Sequence, residues 1–336
     1  MSKRFQIEAE SKPTNMSIFL TGSSGFIGSA LSKKLLSDNF IVYTKMHSNR
    51  FSDCVINLTS DSEPEQAKPL SDALKNCQVF FHLAARAHIL KETESDPLSV
   101  FRQANVNETL RFAQIAADAG VKRFVFLSSI GVNGLYSSDK PFTESDTTNP
   151  HNPYTTSKFE AEELLRKLEQ KSNMEVVIIR SPIVYGPKLK ANFLNLFKIV
   201  DMGLPLPFGS IQNRRSIIYV GNLVDALIRC ATHPAAAGQT FIVSDNEVVS
   251  TPQLVRAIGR AIRRPSLIFP LPLPIMQVCA GLVGKSSVID RLTQSLEVNS
   301  SKMRRELGWE PPYTMQQGLE ATAEWFAESK KIMNAD

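Results

Sequence analysis

The chain has 336 residues, 43% of them hydrophobic and 21% charged, enough to bury a substantial core in one large or two moderate domains. Thirty-eight Lys and Arg against 33 Asp and Glu leave a net charge of +5, but the cations are scattered, which excludes a dense nucleic-acid-binding stripe and leaves only local anion sites. Four cysteines, Cys54, Cys77, Cys230 and Cys279, stand far apart without CxxC or Cys/His spacing, so buried reduced thiols are expected rather than disulfides or a metal site, as in a cytoplasmic protein.

Residues 1–15, MSKRFQIEAESKPTN, are polar and lack the apolar core of a signal peptide; they read as a flexible tail, with the fold starting near Met16. SIFLTG (17–22) reads as a strand and GFIGSALSKKLLSDN (25–39) as a helix with Ile27, Leu31, Leu35 and Leu36 on one face. FIVYTK (40–45), VFFHLAA (79–85), RFVFLSS (123–129) and EVVIIRS (175–181) read as further buried strands. Repeated βα units of this kind predict a parallel sheet with helices on both faces. After Gly186 the regularity gives way to Pro-rich and Gly-rich segments, which suggests a smaller second lobe over 186–336. Within it, LIFPLPLPIMQVCAGLVG (267–284) is broken by Pro270, Pro272 and Pro274 and is too short to span a bilayer. A packed helix and loop is the expectation there, and a membrane-surface contact the alternative.

Chemistry enters at TGSSGFIG (21–28), where Gly22, Gly25 and Gly28 sit at the joint of the first strand and first helix. Glycines there let the backbone approach a pyrophosphate, and the helix N-terminus offers unpaired N–H groups. A dinucleotide site is expected over 16–185. At the end of the second strand, where an NAD site commonly has an acid on the ribose, stands Lys45, with Arg50 close behind. A cation attracts a 2′-phosphate and a carboxylate repels it, so NADP(H) is favoured over NAD(H); the competing reading of Lys45 and Arg50 is a solvated basic loop.

In NPYTTSKFEAEELLRKL, Tyr154 and Lys158 lie four apart, on one helix face, where the ammonium can lower the phenol's pKa and make it a general acid or base. Ser128 and Ser129 close a parallel strand, the place where such sheets hold ligands, and Ser129 could hold a substrate oxygen beside Tyr154.

Taken in order, TGSSGFIG, FHLAARAH, Asn105, FLSSIGVNG, PYTTSK and RSPIVYGP resemble the extended short-chain dehydrogenase/reductase family of nucleotide-sugar epimerases, dehydratases and reductases, over about residues 16 to 315. The resemblance implies a Rossmann-type doubly wound α/β fold with a C-terminal substrate lobe, some of whose segments return to the first sheet. It implies Ser129, Tyr154 and Lys158 as the catalytic set and Gly22, Ser24, Gly25, Phe26, Ile27, Gly28, Leu83, Ala84, Ala85, Pro182, Ile183 and Val184 as further cofactor contacts. Ser128, Asn192, Phe208, Arg215 and Arg291 match substrate positions, Asn192 for diphosphate contact, Phe208 for uracil stacking, and Arg215 and Arg291 for phosphate. Arg291 falls in its column only with a gap, and Ile183 stands where the family usually has Asn. The family's 4,6-dehydratases follow the catalytic Ser/Thr with Asp and Glu; Ile130 and Gly131 stand there instead, which argues against dehydration.

LAARAHIL, SSIGVNG, GPKLKANFLNLFK and GLPLPFGSIQNRRS are most similar to bacterial polysaccharide-cluster reductases. That implies NADPH-dependent reduction of the C4 ketone of UDP-4-keto-6-deoxy-N-acetylglucosamine, to UDP-N-acetylquinovosamine or its C4 epimer, for O-antigen synthesis. The alternative is a UDP-sugar 4-epimerase, and a non-catalytic NAD(P)-binding sensor a third reading. Family pairing through the helices around 100–117 and 154–170 implies a homodimer.

Overall fold

The computed structural model describes residues 16–45, 55–58, 67–87, 96–189, 191–282, 284 and 286–333. The expected tail and Arg50 lie outside the described residues, as does Cys54.

Short runs rich in apolar and β-branched residues become the strands, and those at the centre of the large sheet are covered on both faces. The strands are β1 (Ser17–Thr21), β2 (Ile41–Lys45), β3 (Val55–Leu58), β4 (Val79–His82), β5 (Arg123–Ser129) and β6 (Glu175–Ser181), followed by β7 (Ile183–Tyr185), β8 (Arg215–Tyr219), β9 (Thr240–Ile242) and β10 (Val248–Val249). Seven form one parallel sheet in the order β3-β2-β1-β4-β5-β6-β9. The order reverses between β1 and β4, the switch point of a doubly wound Rossmann-type α/β fold, where ligands bind beyond the strands' carboxyl ends. A smaller sheet, β10-β8-β7, leads into the second lobe.

Period-two alternation sorts the side chains of the large sheet. Ile18, Leu20, Val125 and Leu127 point to one face, under α1 (Phe26–Ser37), while Phe19, Phe80, Phe124 and Phe126 point to the other. That second face is covered by α2 (Ala67–Leu74) and by α4 (Glu108–Asp118), which a π turn over Gln103–Asn107 joins to α3 (Pro97–Arg102), and by α5 (Pro153–Glu169). On the first face, α7 (Val220–Thr232) and α11 (Ser301–Leu307) join α1 through Leu223, Leu227, Met303 and Leu307. The lobe core is made by α6 (Ala191–Asp201), α8 (Thr251–Ala261), α9 (Leu273–Leu282), α10 (Ser286–Thr293) and α12 (Met315–Met333) around Phe197, Ile217, Val255, Ile258 and Leu319.

Several details differ from expectation. β4 stops at His82, because Leu83–Ala85 leave the sheet to run beside the Gly22 turn. The four-residue β3 was not anticipated, being too short to show a period. Cys77 and Cys230 are buried free thiols, but Cys279 is exposed, since α9 packs through Met276 and Ala280 and turns Cys279 outward. Among the described residues no helix is long and apolar enough to cross a membrane.

Candidate active site

The loop between β1 and α1 is shaped for close approach. Gly22 has φ +76°, which L side chains rarely adopt, and a Cβ there would stand 2.7 Å from the Ala84 backbone N. A Cβ on Gly28 would lie 2.0 Å from the Gly22 carbonyl oxygen, so the first turn of α1 can press on the loop only with glycine at that position. Gly25 caps α1 without a side-chain hydrogen bond, and the first turn carries no acid, leaving N–H groups for an anion. Ser23, unremarked in the sequence, places a buried hydroxyl here with no partner among the described residues. Ser24 and Gly25 are exposed, and Phe26 and Ile27 half-buried against the two cores. Leu83, Ala84 and Ala85 form the neighbouring rim, and Lys45 ends β2 at the same sheet edge. This cradle fits the diphosphate of a dinucleotide.

Ser129, Tyr154 and Lys158, the trio expected to be catalytic, converge at the carboxyl end of β5. The Ser129 hydroxyl lies near enough to the Tyr154 phenol to favour its ionised form and accepts the Gly131 N–H at 3.2 Å. α5 starts immediately after Asn152, whose side chain and that of Thr155 form a reciprocal capping box, with Pro153 in the first turn. That cap sets Tyr154 at the helix mouth. One turn on, buried Lys158 donates from Nζ to the Leu127 carbonyl at 2.9 Å and lies 4.4 Å from the Phe126 ring centroid. Burial pushes Lys158 down to about 7, opposed by the Glu162 carboxylate. It pushes the Tyr154 phenol up to about 12, opposed by the nearby Ser129 hydroxyl. The lowering of the phenol by Lys158 anticipated from the sequence is not seen in the protein alone, where burial dominates and Ser129 is the group that opposes it.

Support comes from side chains to which the sequence reading assigned no role. Buried Asn105, on the π turn, accepts the Arg86 N–H at 2.8 Å and donates to the Arg86 carbonyl and to Ser157, tying the rim after β4 to α5. Beneath them His82 lies between the hydroxyls of Thr21 and Thr109, at 2.8 and 3.0 Å, and burial pushes its pKa down to about 3, with the Lys158 charge adding to the effect. FFHLAA carried a signal for it, a lone His closing an apolar strand.

Ser128 is a correction. Its hydroxyl donates to buried Glu162, which pairs with buried Arg180, and Arg180 in turn bonds Asn133 at 3.0 Å. Its hydroxyl is therefore committed inside the protein rather than to substrate. Ile130 packs with Ile242 and Val298, away from the cleft.

Pro182 is buried, Val184 leans on the core, and Ile183 is 45% exposed on β7. An apolar side chain held open at a sheet's carboxyl edge suits the face of a planar ring, which the Asn of the family pattern would suit less. Among the substrate candidates, Arg215 and Arg291 come together: Arg215 donates from Nη1 to the Arg291 and Gln294 carbonyls. Burial lowers the Arg215 pKa, with Tyr136 opposing, and among the described residues no carboxylate pairs with it. Arg291 is exposed in the last turn of α10, Asn192 lies in the first turn of α6, and Phe208 is buried with Leu206 and Ile211 in the lobe core, with little ring face left open. Uracil stacking on Phe208 would require that packing to open.

Residues 18–244 match the NAD dependent epimerase/dehydratase family. The chain is 44% identical over 317 residues to a UDP-glucose 4-epimerase of Vibrio cholerae, covering 93% of this chain and 96% of that protein. It is 28% identical to an N-acetyl-alpha-D-glucosaminyl-diphospho-ditrans,octacis-undecaprenol 4-epimerase of Escherichia coli O157:H7, covering 94% and 97%. In fold it is similar to a UDP-glucuronic acid 4-epimerase from Bacillus cereus in complex with NAD, with TM-score 0.75, 19% identity and coverage of 94% and 98%. The glycine cradle, the convergent Ser129, Tyr154 and Lys158, and a family match over more than half of the chain lead to one assignment: the chain belongs to the NAD-dependent epimerase/dehydratase family.

Proposed function

We propose that the protein interconverts the C4 epimers of a UDP-sugar. The observation that carries this is the contact of Ser129 with Tyr154 at the end of β5, beside a cleft in which the next residue, Ile130, is turned into the core. Ser129 and Tyr154 can hold and move the proton of a sugar hydroxyl, while the positions that would eliminate water carry no acid. The Gly22, Gly25 and Gly28 cradle would hold a dinucleotide, whose nicotinamide would supply reversible hydride exchange at C4, so that inversion leaves no net redox change. Lys158 would orient the ribose, and Arg215 with Arg291 would meet the diphosphate. The 44% identical Vibrio cholerae relative is a UDP-glucose 4-epimerase, which supports epimerisation over the reduction expected from the sequence.

The reductase reading keeps one specific support, Lys45 at the end of β2, because a cation there favours NADPH. Purified protein is incubated with UDP-glucose or UDP-N-acetylglucosamine and NAD, and separately with UDP-4-keto-6-deoxy-N-acetylglucosamine and NADPH, with products identified by NMR. Interconversion at C4 in the first tubes, abolished by Tyr154→Phe, supports the epimerase. Stoichiometric NADPH oxidation in the second, with none in the first, replaces it with the reductase.

A further inference from the structure

Helix α9 is apolar on both sides. Met276 and Ala280, four residues apart, are buried in the lobe, while Ile275, Val278 and Leu282 are 49%, 64% and 83% exposed. With exposed Cys279 these positions follow the spacing of an apolar helical stripe, which ordinarily faces a core and here faces outward. The segment leading into α9 continues the surface. The Leu206 N–H donates to the Leu267 carbonyl at 2.7 Å and the Phe269 N–H to the Leu206 carbonyl at 3.0 Å, which lays this segment against the turn after α6. Leu204, Leu267 and Phe269 are all exposed there. Soluble monomers seldom leave so many large apolar side chains together in water.

The segment that forms this surface carries charge of one sign. From Val248 to Ile289 there is no Asp or Glu, and 267–284 carries no charge at all. Arg260, Arg263 and Arg264 stand exposed at the end of α8, just before the apolar segment. Of the acids at the border, Asp201 is already matched by Lys330 and by Arg264, and Asp290 of α10 is half-buried.

We propose that this face docks on an anionic lipid bilayer, with α9 lying in the interface, its outward stripe toward the acyl chains and the α8 arginines among the headgroup phosphates. Charge complementarity chooses the occupant. A second copy set symmetrically on the same face would bring two groups of arginines together, whereas lipid phosphates would pair with them. α9 has ten residues, so it lies on the membrane rather than across it. This inference is independent of which C4 reaction the site performs.

Vesicle flotation of the full chain tests it, with phosphatidylglycerol/phosphatidylethanolamine vesicles against phosphatidylcholine alone. The protein should float with the anionic vesicles, come off in part at high salt, and stay behind with phosphatidylcholine. The double variant Val278→Asp, Leu282→Asp and, separately, Arg263→Glu should each lower the bound fraction roughly tenfold, with UDP-sugar turnover and melting temperature unchanged because these side chains face solvent. No flotation with anionic vesicles at low salt, or flotation that survives both substitutions, overturns the proposal. So does a dimer that the double variant dissociates in a protein that never floats, which would make the occupant a second copy.

Discussion

Ser128 and Ser129 are consecutive in β5, and their hydroxyls serve opposite purposes: Ser128 donates to buried Glu162, while Ser129 meets the Tyr154 phenol. Substitution should separate them. Ser128→Ala leaves the Glu162 carboxylate short of a donor beside Arg180 and should cost about 1–3 kcal/mol of stability with turnover largely kept. Ser129→Ala should reduce kcat with little change in melting. Unfolding midpoints and kcat, measured on both variants, decide the matter; a shared loss of kcat would return Ser128 to the site.

Strand alternation contained that distinction. Phe124, Phe126 and Ser128 share one face and Val125, Leu127 and Ser129 the other, so reading the period through to the end of β5 would have sent Ser128 toward α5. Local signals were legible elsewhere too: the glycines at the first turn, the Tyr154/Lys158 spacing, and strands rich in apolar and β-branched residues. What stayed hidden depends on distant residues. Glu162 meets Arg180 and Thr240–Ile242 joins β6 only through the assembled fold, and a three-residue edge strand carries no period of its own. That the Ser23 hydroxyl has no partner among the described residues is a fact of burial, which the sequence does not display.

His82 should make the protein acid-sensitive. Its pKa is about 3 when folded against 6.5 for the free group, so between these values the unfolded chain binds the proton and the folded one does not. Stability is therefore lost as pH falls through that window, by up to about 1.4 kcal/mol per pH unit for one proton. Replacing His82 by Gln should lower stability at neutral pH, since the Thr21 and Thr109 contacts are disturbed, and flatten the slope between pH 6.5 and 5, above the carboxylate range. Denaturant unfolding at stepped pH gives both; an unchanged slope would mean that His82 is protonated in the fold.

Lys45 can be tested apart from the reaction. Lys45→Asp should weaken NADPH binding by about 1–3 kcal/mol, the scale of a charge-assisted contact, and spare NADH. Fluorescence titration of both cofactors reads the difference. Equal loss of both removes the role in selecting the 2′-phosphate.

Arg215 holds the Arg291 and Gln294 carbonyls and, among the described residues, has no carboxylate partner, so a drop in affinity on substitution could come from a displaced α10. Comparing UDP with uridine separates the two. Arg215→Ala should weaken UDP binding by about 10- to 100-fold, the scale of a hydrogen bond to a charged group, and change uridine binding little. Parallel losses for both ligands would assign Arg215 to holding α10 in place.

Gly131 is the position whose constraint is most specific. A Cβ there would stand 2.5 Å from Thr155 Cγ2, closer than atoms pack, and Thr155 is the residue after Tyr154 in the first turn of α5. Gly131→Ala should therefore displace the start of α5, costing about 1–3 kcal/mol as overpacking does and lowering kcat by moving the phenol from Ser129. Thr155 cannot simply be truncated to Ala, because its hydroxyl accepts the His151 and Asn152 N–H groups at 3.0 and 3.2 Å and completes the cap. Serine keeps that oxygen and lacks the methyl. The double variant Gly131→Ala, Thr155→Ser should thus recover much of the kcat and melting temperature that Gly131→Ala loses, while Thr155→Ser alone changes little. A double variant no better than Gly131→Ala would show that position 131 is needed as glycine for some contact other than the Thr155 methyl.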